Sequence, residues 1–344
     1  MKTTSPRRSC DAVYNSNTGR ALLTAAVCCI GSMLALPLIA AQPDARDYPQ
    51  RPIRLIDPYA PGGGSGVVAR LVTAKLSDAW GKQVVIDNRP GAAGAIGTEI
   101  AMRAPPDGYT LLMGTSGSIA ISPNMNKVPY EPLKDLIPIT QTSGQSMLLV
   151  VHPSVPINSV KDLLVAAKAQ PKKLTFASSG TGGSGHLAAE LFQSIAKVSL
   201  THVPYKGNGP AVLAVLSAEV QMGFNNILAV LPHVTGGKLK AIGVTSPKRA
   251  AAVPNVPTLS ESGVTGYEAT SWNGMFAPAK TPRPIISKVH GEVVKALNSA
   301  DVRDKLVAMG SDPVGSTPEE FYAHIKLELE RWGKVIRDNN IRSE

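Results

Sequence analysis

Short apolar runs rich in β-branched residues alternate along the chain with longer segments whose apolar positions recur at helical spacing. Between residues 52 and 114 this alternation predicts three strands separated by two helices, with glycine-rich loops after the first two strands. The predicted strands are 52–57, 83–87 and 109–114, and the predicted helices are 67–79 and 95–103. Strands that alternate with helices in this way usually lie parallel in one sheet.

The same order of elements recurs between residues 173 and 225. Strands are predicted at 173–178, 199–203 and 220–225, and helices at 186–197 and 210–219. The two segments share little sequence identity, so the repeat is one of architecture. Two βαβαβ units predict an α/β protein with two lobes, each a mostly parallel sheet flanked by helices, and a cleft between the lobes.

Two further segments are predicted to carry the chain between these lobes. An apolar strand within 138–153 leads out of the first unit, and 268–283 leads back after a strand at 238–246. Terminal helices are predicted at 284–298, 301–309 and 318–338. The first lobe is therefore predicted to be discontinuous, with residues 42–143 and 273–344, and the second lobe to comprise residues 144–272.

The first 41 residues have the pattern of a cleaved secretory signal. The basic residues at its start are Lys2, Arg7, Arg8 and Arg20. An apolar run from Ala21 to Ala41 follows and ends in small residues. Cleavage is predicted after Ala41, with Ala40 as the competing position. An uncleaved membrane anchor is the alternative, because the run is near the length that spans a bilayer.

Without this segment, the composition of the remaining chain excludes several kinds of functional site. All three cysteines, Cys10, Cys28 and Cys29, lie within it, which excludes a disulfide framework, a thiolate nucleophile and a cysteine-ligated metal from the remainder. We expect neither a metal nor a cofactor. The net charge is +10, but the basic residues are scattered and only 5% of residues are aromatic. These features argue against nucleic-acid binding and favour a mild field that attracts small anions.

Glycine-rich turns from strand to helix are the main candidate chemistry. They occur at 61–66, 90–94 and 180–185, with a further glycine loop at 205–209. Such turns expose backbone N–H groups at the positive end of a helix dipole and can bind anions. Each one alone is equally explained by the need for a tight turn. Several loops that end at one cleft favour a shared ligand.

Other chemistry finds less support. The GxGxxG at 180–185 lacks the acidic residue that a dinucleotide site requires after the next strand, which is 199–203. The six histidines show no metal-binding spacing. No serine has the glycine neighbours of a nucleophile elbow. A secreted hydrolase of small acid esters that uses Ser65 or Ser184 remains the alternative function.

Specific motifs fill these loops in an order that spans residues 48–340: YPQRPIRLIDPYAPGGGSGVVAR, IDNRPGAAGAIGTE, PPDGYTLLMGTS, ASSGTGGSGHLAAE, HVPYKGNGPAVLAVLSAEVQMGFNNI and WNGMFAPAKTP. The series closely resembles the Bug proteins, the TctC-like solute receptors of tripartite tricarboxylate transporters. The resemblance implies a periplasmic binding protein of the type II-like fold that binds a small di- or tricarboxylate or aromatic acid and is not an enzyme. The implied partners are the transporter's membrane components; a membrane sensor kinase is a further alternative.

The resemblance also implies ligand contacts. The PGG loop of the family holds a carboxylate together with ordered waters, which places Pro61, Gly62, Gly63, Gly64 and Ser65 at the ligand. The other candidates in the first lobe are Tyr59, Ala92, Ser116 and Ser118. The candidates in the second lobe lie near strand ends, where open α/β sheets bind ligands: Ser178, Thr181, Gly182, Ser184, Tyr205, Lys206 and Asn226.

Two departures from the family pattern qualify this expectation. Gly66 stands where family members commonly carry an aspartate, and Asn225 stands where they often carry another. The loss of two acidic groups is expected to raise the positive potential of the cleft and to remove a partner for a ligand amine. Trp272 and Tyr59 are candidate walls for an aromatic ligand, or else they pack near the crossing and the first loop.

Overall fold

The structure, a computed structural model, describes residues 45–342. The strands are β1 Ile53–Asp57, β2 Val84–Asn88, β3 Thr110–Thr115, β4 Leu136–Val151, β5 Thr175–Ser178, β6 Thr201–Pro204, β7 Met222–Asn226, β8 Lys240–Val244, β9 Thr270–Pro278 and β10 Ser311–Pro313. The longer helices are α1 Gly64–Trp80, α2 Ala95–Met102, α5 Val160–Ala169, α6 Ser184–Ala196, α7 Asn208–Leu216, α8 Ile227–Thr235, α9 Arg283–Asn298, α10 Ala300–Ala308 and α11 Pro318–Asp338. The short helices are α3 Ser122–Met125 and α4 Pro132–Asp135, beside a π-helical turn at Gly117–Ile121 and 3-10 turns at Ala45–Asp47 and Ala92–Gly94.

The two predicted βαβαβ units are both present. In the first, β1 lies between β2 and β3 and pairs with both in parallel. In the second, β5 lies between β6 and β7 and again pairs with both in parallel. Parallel pairing brings the carboxyl ends of neighbouring strands to the same edge of the sheet, so the glycine loops that follow these strands share an edge.

Strands β4 and β9 join the two units and add antiparallel pairing to the sheet. Residues 136–146 of β4 pair with β9, whereas residues 147–151 pair with β7 and β8. Every antiparallel pair in the described structure involves β4 or β9. The sheet is therefore mixed, because the strands that cross between parallel units run against them.

Apolar side chains pack on both faces of the sheets. One cluster, which includes Leu55 and Val289, packs α1, α9 and α10 against one face of the first unit. A second, which includes Phe192 and Trp332, packs α6 and α11 on the opposite face. A third, around Val215, packs α7 and α8 against the second unit. Because both faces are covered, strands such as β1 and β3 bury consecutive residues rather than alternate ones.

A capping box marks the start of α11. Thr317 accepts a hydrogen bond from the backbone N–H of Glu320, whose carboxylate accepts one from the N–H of Thr317. The helix then begins at Pro318, a residue suited to the first helical position because its missing N–H needs no partner there.

The predicted signal at residues 1–41 lies outside the described residues. Within residues 45–342, no helix combines the length and the apolar character needed to cross a membrane. Among the described helices, the longer α5 and α8 and the short α3 and α4 were not expected from the periodicity of the sequence. The rest of the predicted order of strands and helices is confirmed to within a few residues at each end.

Candidate functional site

A small polar cavity of about 40 Å³ lies where the loops of the two units meet. A water molecule needs roughly 10–15 Å³ of such space, so the cavity has room for a few waters or one carboxylate group. None of its lining residues carries a formal charge: Tyr59, Gly63, Gly64, Ser65, Thr115, Met147, Ser179, Ser184, Gly185, Asn208, Phe224, Asn226, Ser271 and Asn273. Any ligand there meets neutral hydrogen-bonding groups rather than a basic side chain.

Two helices begin at the wall of this cavity without a side-chain cap. Helix α1 follows Gly63 and helix α6 follows Gly183, and a glycine has no side chain to offer a capping oxygen. Backbone N–H groups in the first turn of a helix have no partner within the helix. Gly64 and Ser184, which start these turns, both line the cavity, so two positive dipole ends face it.

Two asparagines at other helix starts add side-chain groups to the wall. Asn226 caps α8, since its Oδ1 accepts a hydrogen bond of 3.0 Å from the N–H of Leu228. Asn208 is the first residue of α7, and its Nδ2 is buried without a hydrogen-bond partner. An unpartnered buried donor is costly, so a ligand oxygen that reached Asn208 would remove an existing penalty.

Tyr59 separates the cavity from a neighbouring groove. Its hydroxyl donates a hydrogen bond of 2.9 Å to the carbonyl of Ala93 and lies 3.1 Å from Oγ1 of Thr115. Burial raises the pKa of Tyr59 to about 12, so the phenol stays neutral. Tyr59 and Thr115 line the cavity, whereas Ala93 lines the groove, which has a volume of about 580 Å³.

Backbone contacts hold the loops of the two units together. The N–H of Ala60 donates a hydrogen bond of 3.1 Å to the carbonyl of Lys206. A β-carbon at Gly209 would overlap the carbonyl oxygen of Pro61, and one at Gly64 would overlap the amide of Asn226. Glycine is therefore required at position 209 by close approach to a backbone atom rather than by an unusual backbone angle, whereas the neighbour at position 64 is the end of a side chain.

The structure distributes the predicted ligand-binding residues over three places. The following line the cavity: Tyr59, Gly63, Gly64, Ser65, Ser184 and Asn226. The following line the groove instead: Ala92, Thr181, Tyr205 and Lys206. The following line neither: Pro61, Gly62, Ser116, Ser118, Ser178 and Gly182.

The predicted residues outside both spaces have local structural roles. Ser116 is fully buried, and its Oγ lies 3.1 Å from Oγ of Ser271, which does line the cavity. Oγ of Ser118 accepts a hydrogen bond of 3.2 Å from the N–H of Thr115. Pro61 and Gly62 are exposed but contact the start of α7, and a β-carbon at Gly182 would overlap the side chain of Asn126.

Several cavity residues were not among those predicted: Thr115, Met147, Ser179, Gly185, Asn208, Phe224, Ser271 and Asn273. Gly185 and Asn208 lie in glycine loops that the sequence had already singled out, and Ser179 directly precedes one of them. Ser271 and Asn273 lie on β9 and reach the cavity because β9 pairs with β3, where Asn273 lies opposite Thr115. A local sequence pattern does not encode that pairing.

Trp272 is a packing residue rather than a wall of the cavity. Its side chain is only 2% exposed, and its Nε1 donates a hydrogen bond of 3.2 Å to the carboxylate of Glu328 on α11. Its ring meets Phe321 edge to face at 5.4 Å. Of the two roles open to Trp272 from the sequence, the structure therefore shows the packing role.

The structure changes what the absence of acids at positions 66 and 225 means for the charge near the cavity. A β-carbon at Gly66 would lie 3.3 Å from Oδ2 of Asp57, so the carboxyl group of Asp57 occupies the space beside position 66. Asn225 lies on the face of β7 opposite Phe224 and Asn226, because successive residues of a strand point to opposite sides. The carboxyl group of Asp57 therefore takes the place of the acid that is missing at position 66. An acid at position 225 would not face the cavity.

No histidine lies beside Ser65 or Ser184 among the described residues that line this cavity. The hydroxyl of Ser65 donates a hydrogen bond of 3.0 Å to Asp57. Ser178 does lie 2.6 Å from Nε2 of His202, but Ser178 is fully buried and out of reach of a substrate. Residues 45–342 also contain no group of three or more histidine, cysteine or acidic side chains that could hold a metal ion.

Two stacked histidines support the loop that precedes α6. The rings of His186 and His202 lie 4.1 Å apart, and Nδ1 of His186 accepts a hydrogen bond of 3.2 Å from the N–H of Gly182. Burial lowers the pKa of His186 to about 3, with the neighbouring His202 adding to the effect, and burial lowers the pKa of His202 to about 4. Both rings are therefore neutral over most of the pH range.

We expect this pair to make the fold sensitive to acid. Below pH 6.5 the unfolded histidines bind protons that folded His186 does not, so the free energy of unfolding should fall by about 1.4 kcal/mol per pH unit for that residue until the pH approaches 3. The variant His186→Gln keeps a hydrogen-bond acceptor but cannot titrate. Urea unfolding between pH 7.5 and 4.5 should show a shallower acid slope for the variant; parallel slopes would contradict the assignment.

Two α/β units joined by crossing strands, with helix starts around a polar cavity, define the class of periplasmic solute-binding proteins. The sequence profile of TctC, the tripartite tricarboxylate transporter family receptor, matches residues 68–341, and the chain belongs to this family. The family consists of solute receptors, so membership supports binding as the function of the cavity.

Individual relatives match nearly the whole chain. Protein BugT of Bordetella pertussis is 36% identical over 322 residues, which cover 93% of this chain and 99% of BugT. The solved structure of Rhodopseudomonas palustris Rpa4515 with adipate has a TM-score of 0.83 at 34% identity and covers 86% of this chain and 99% of its own. MatC from the same organism, with bound malate, has a TM-score of 0.81 at 31% identity and covers 84% and 100% respectively.

Proposed function

We propose that the protein is a periplasmic receptor that binds a small carboxylate in the cavity and delivers it to the membrane components of a tripartite tricarboxylate-type transporter. The observation that carries the proposal is the meeting of two uncapped helix starts, at Gly64 and Ser184, on one small neutral cavity. Uncapped N–H groups and positive dipole ends suit a carboxylate. Neutral donors also leave the ligand exchangeable, as a transport receptor needs.

The related receptors support the same class of ligand. One solved relative contains adipate and another contains malate, and both of these ligands are dicarboxylates. The groove beyond Tyr59 offers a place for the far end of such a ligand. Lys127 and Lys206 line it, and its acidic residue, Glu99, is paired with Arg103. A second carboxylate would have basic side chains nearby there, whereas the cavity itself has none.

Entry of the ligand requires the loops to separate. We propose that residues 42–143 with 273–344 form one lobe, that residues 144–272 form the other, and that the lobes open about β4 and β9. The contact between Ala60 and Lys206 then belongs to a closed arrangement. Donors from both lobes surround the ligand only when that contact forms, so binding favours closure.

Thermal unfolding of the purified protein tests the ligand class. Dicarboxylates of different chain lengths should raise the unfolding temperature, since a ligand at 100 times its Kd adds about 2.7 kcal/mol of stability. Uncharged diamides of the same carbon skeletons serve as matched controls. Stabilisation by diamides or sugars, with none by any carboxylate, would refute the proposal.

A further inference from the structure

The buried carboxyl group of Asp57 lies directly behind the cavity. Asp57 ends β1 and is 1% exposed. Its Oδ1 accepts a hydrogen bond of 3.0 Å from the hydroxyl of Ser65 and one of 3.3 Å from the N–H of Tyr59. Both of these residues line the cavity. Asp57 is therefore separated from the cavity by Ser65 and Tyr59, and it is hydrogen-bonded to both.

The other carboxyl oxygen, Oδ2, is buried without a hydrogen-bond partner. The space beside it is open to Gly66, where a β-carbon would lie 3.3 Å from Oδ2 and 3.3 Å from Nη1 of Arg70. Arg70 on α1 is the cationic group that faces this carboxyl, and Asn88 on β2 and the phenol of Tyr59 are its neutral polar neighbours. A charged oxygen in such a position costs more free energy than the neutral oxygen of a protonated carboxyl.

We propose that Asp57 is a positioning residue that makes carboxylate binding depend on a proton, so that the anionic ligand binds when the carboxyl of Asp57 is neutral. This inference rests on the proposed function. An ionised Asp57 would repel an anion in the adjacent cavity and would hold the proton of the Ser65 hydroxyl. A protonated Asp57 removes the repulsion, and its neutral oxygen holds the Ser65 hydroxyl less strongly than a carboxylate does.

The pKa of Asp57 places the change in ligand affinity near neutral pH. Burial is the largest influence and raises the pKa to about 7, although the hydrogen bonds from Ser65 and Tyr59 and the charge of Arg70 lower it. A nearby anion raises the pKa further, so binding takes up a proton when the free protein is ionised. Affinity should therefore be constant well below pH 7 and should fall as the pH rises above it.

Isothermal titration with a dicarboxylate that binds at pH 6.5 tests the inference. Between pH 6.5 and 8.5 the Kd of the wild type should rise about tenfold. Simple carboxylic acids have pKa values near 4, so the ligand does not titrate in this window. The variant Asp57→Asn keeps an acceptor for Ser65 and Tyr59 and cannot ionise; its Kd should be nearly flat with pH and close to the wild-type value at pH 6.5.

The variant Asp87→Asn is the matched control for the removal of one acidic charge. Asp87 on β2 pairs with Arg54 on the neighbouring β1 and with Arg89 just after β2, and the hydrogen bonds from both keep its pKa below the usual value. Its removal should leave the wild-type pH dependence intact. A wild-type Kd that does not change with pH, or equal slopes for wild type and Asp57→Asn, would overturn the role of Asp57 while the receptor function stands. Failure of every carboxylate at pH 6.5 would instead overturn the function itself.

Discussion

Replacing Gly209 with alanine should weaken ligand binding by roughly 10- to 100-fold, because it introduces about 1–3 kcal/mol of overpacking between the two loops. The added β-carbon would overlap the carbonyl oxygen of Pro61, a backbone atom that cannot move aside as a flexible side chain can. Gly209 lies in the first turn of α7, where alanine is a better helix former than glycine. Titration calorimetry should therefore show the loss of affinity while the fold stays intact. Small-angle scattering should show a larger radius of gyration at saturating ligand than for the wild type.

The variant Gly291→Ala provides the matched control. Gly291 lies in α9, and no atom lies within 4 Å of the position that a β-carbon would take. The same chemical change there should raise the free energy of unfolding by up to about 1 kcal/mol and leave affinity unchanged. Wild-type affinity in Gly209→Ala would show that the contact between Gly209 and Pro61 is not part of the liganded state.

The periodicity of the sequence predicts an element well when only one face of it is apolar or when its ends carry turn signals. Strand β1 is an example, with predicted bounds of 52–57 and observed bounds of Ile53–Asp57. Helix α8 shows where periodicity fails. Its residues 227–231 are all buried, so no polar face marks a helical period, and Pro232 within it suggests a break.

The candidate site was only partly predictable, for a different reason. The glycine loops can be recognised in the sequence, because a ligand reaches the backbone N–H groups at a helix start only where no side chain blocks them. Which loops meet depends on strand order, and the insertion of β9 between β3 and β4 brings Ser271 and Asn273 to the cavity. The carboxyl at position 57 likewise substitutes in space for one at position 66. Such exchanges are visible only when the three-dimensional positions are known.

Replacing Asn208 with alanine should weaken carboxylate binding by roughly 10- to 100-fold, because a hydrogen bond to a charged group contributes about 1.5–3 kcal/mol. The buried Nδ2 of Asn208 has no partner in the protein and lines the cavity, so the ligand is the acceptor available to it. Removing the amide also removes an unpartnered donor from the unliganded fold. Stability should therefore stay equal or rise slightly. Titration calorimetry and urea unfolding measure the two effects separately.

Asn225 offers a comparison that separates binding from burial. Both polar atoms of its side chain are also buried without partners, but it lies on the side of β7 away from the cavity, where a β-carbon at Gly223 would overlap its amide. The variant Asn225→Leu should raise the free energy of unfolding by about 1–3 kcal/mol, since an apolar side chain of similar size has no hydrogen bonds to lose. Its ligand affinity should equal that of the wild type. If Asn225→Leu loses binding while Asn208→Ala keeps it, then the polar wall of the binding site lies on the opposite face of β7.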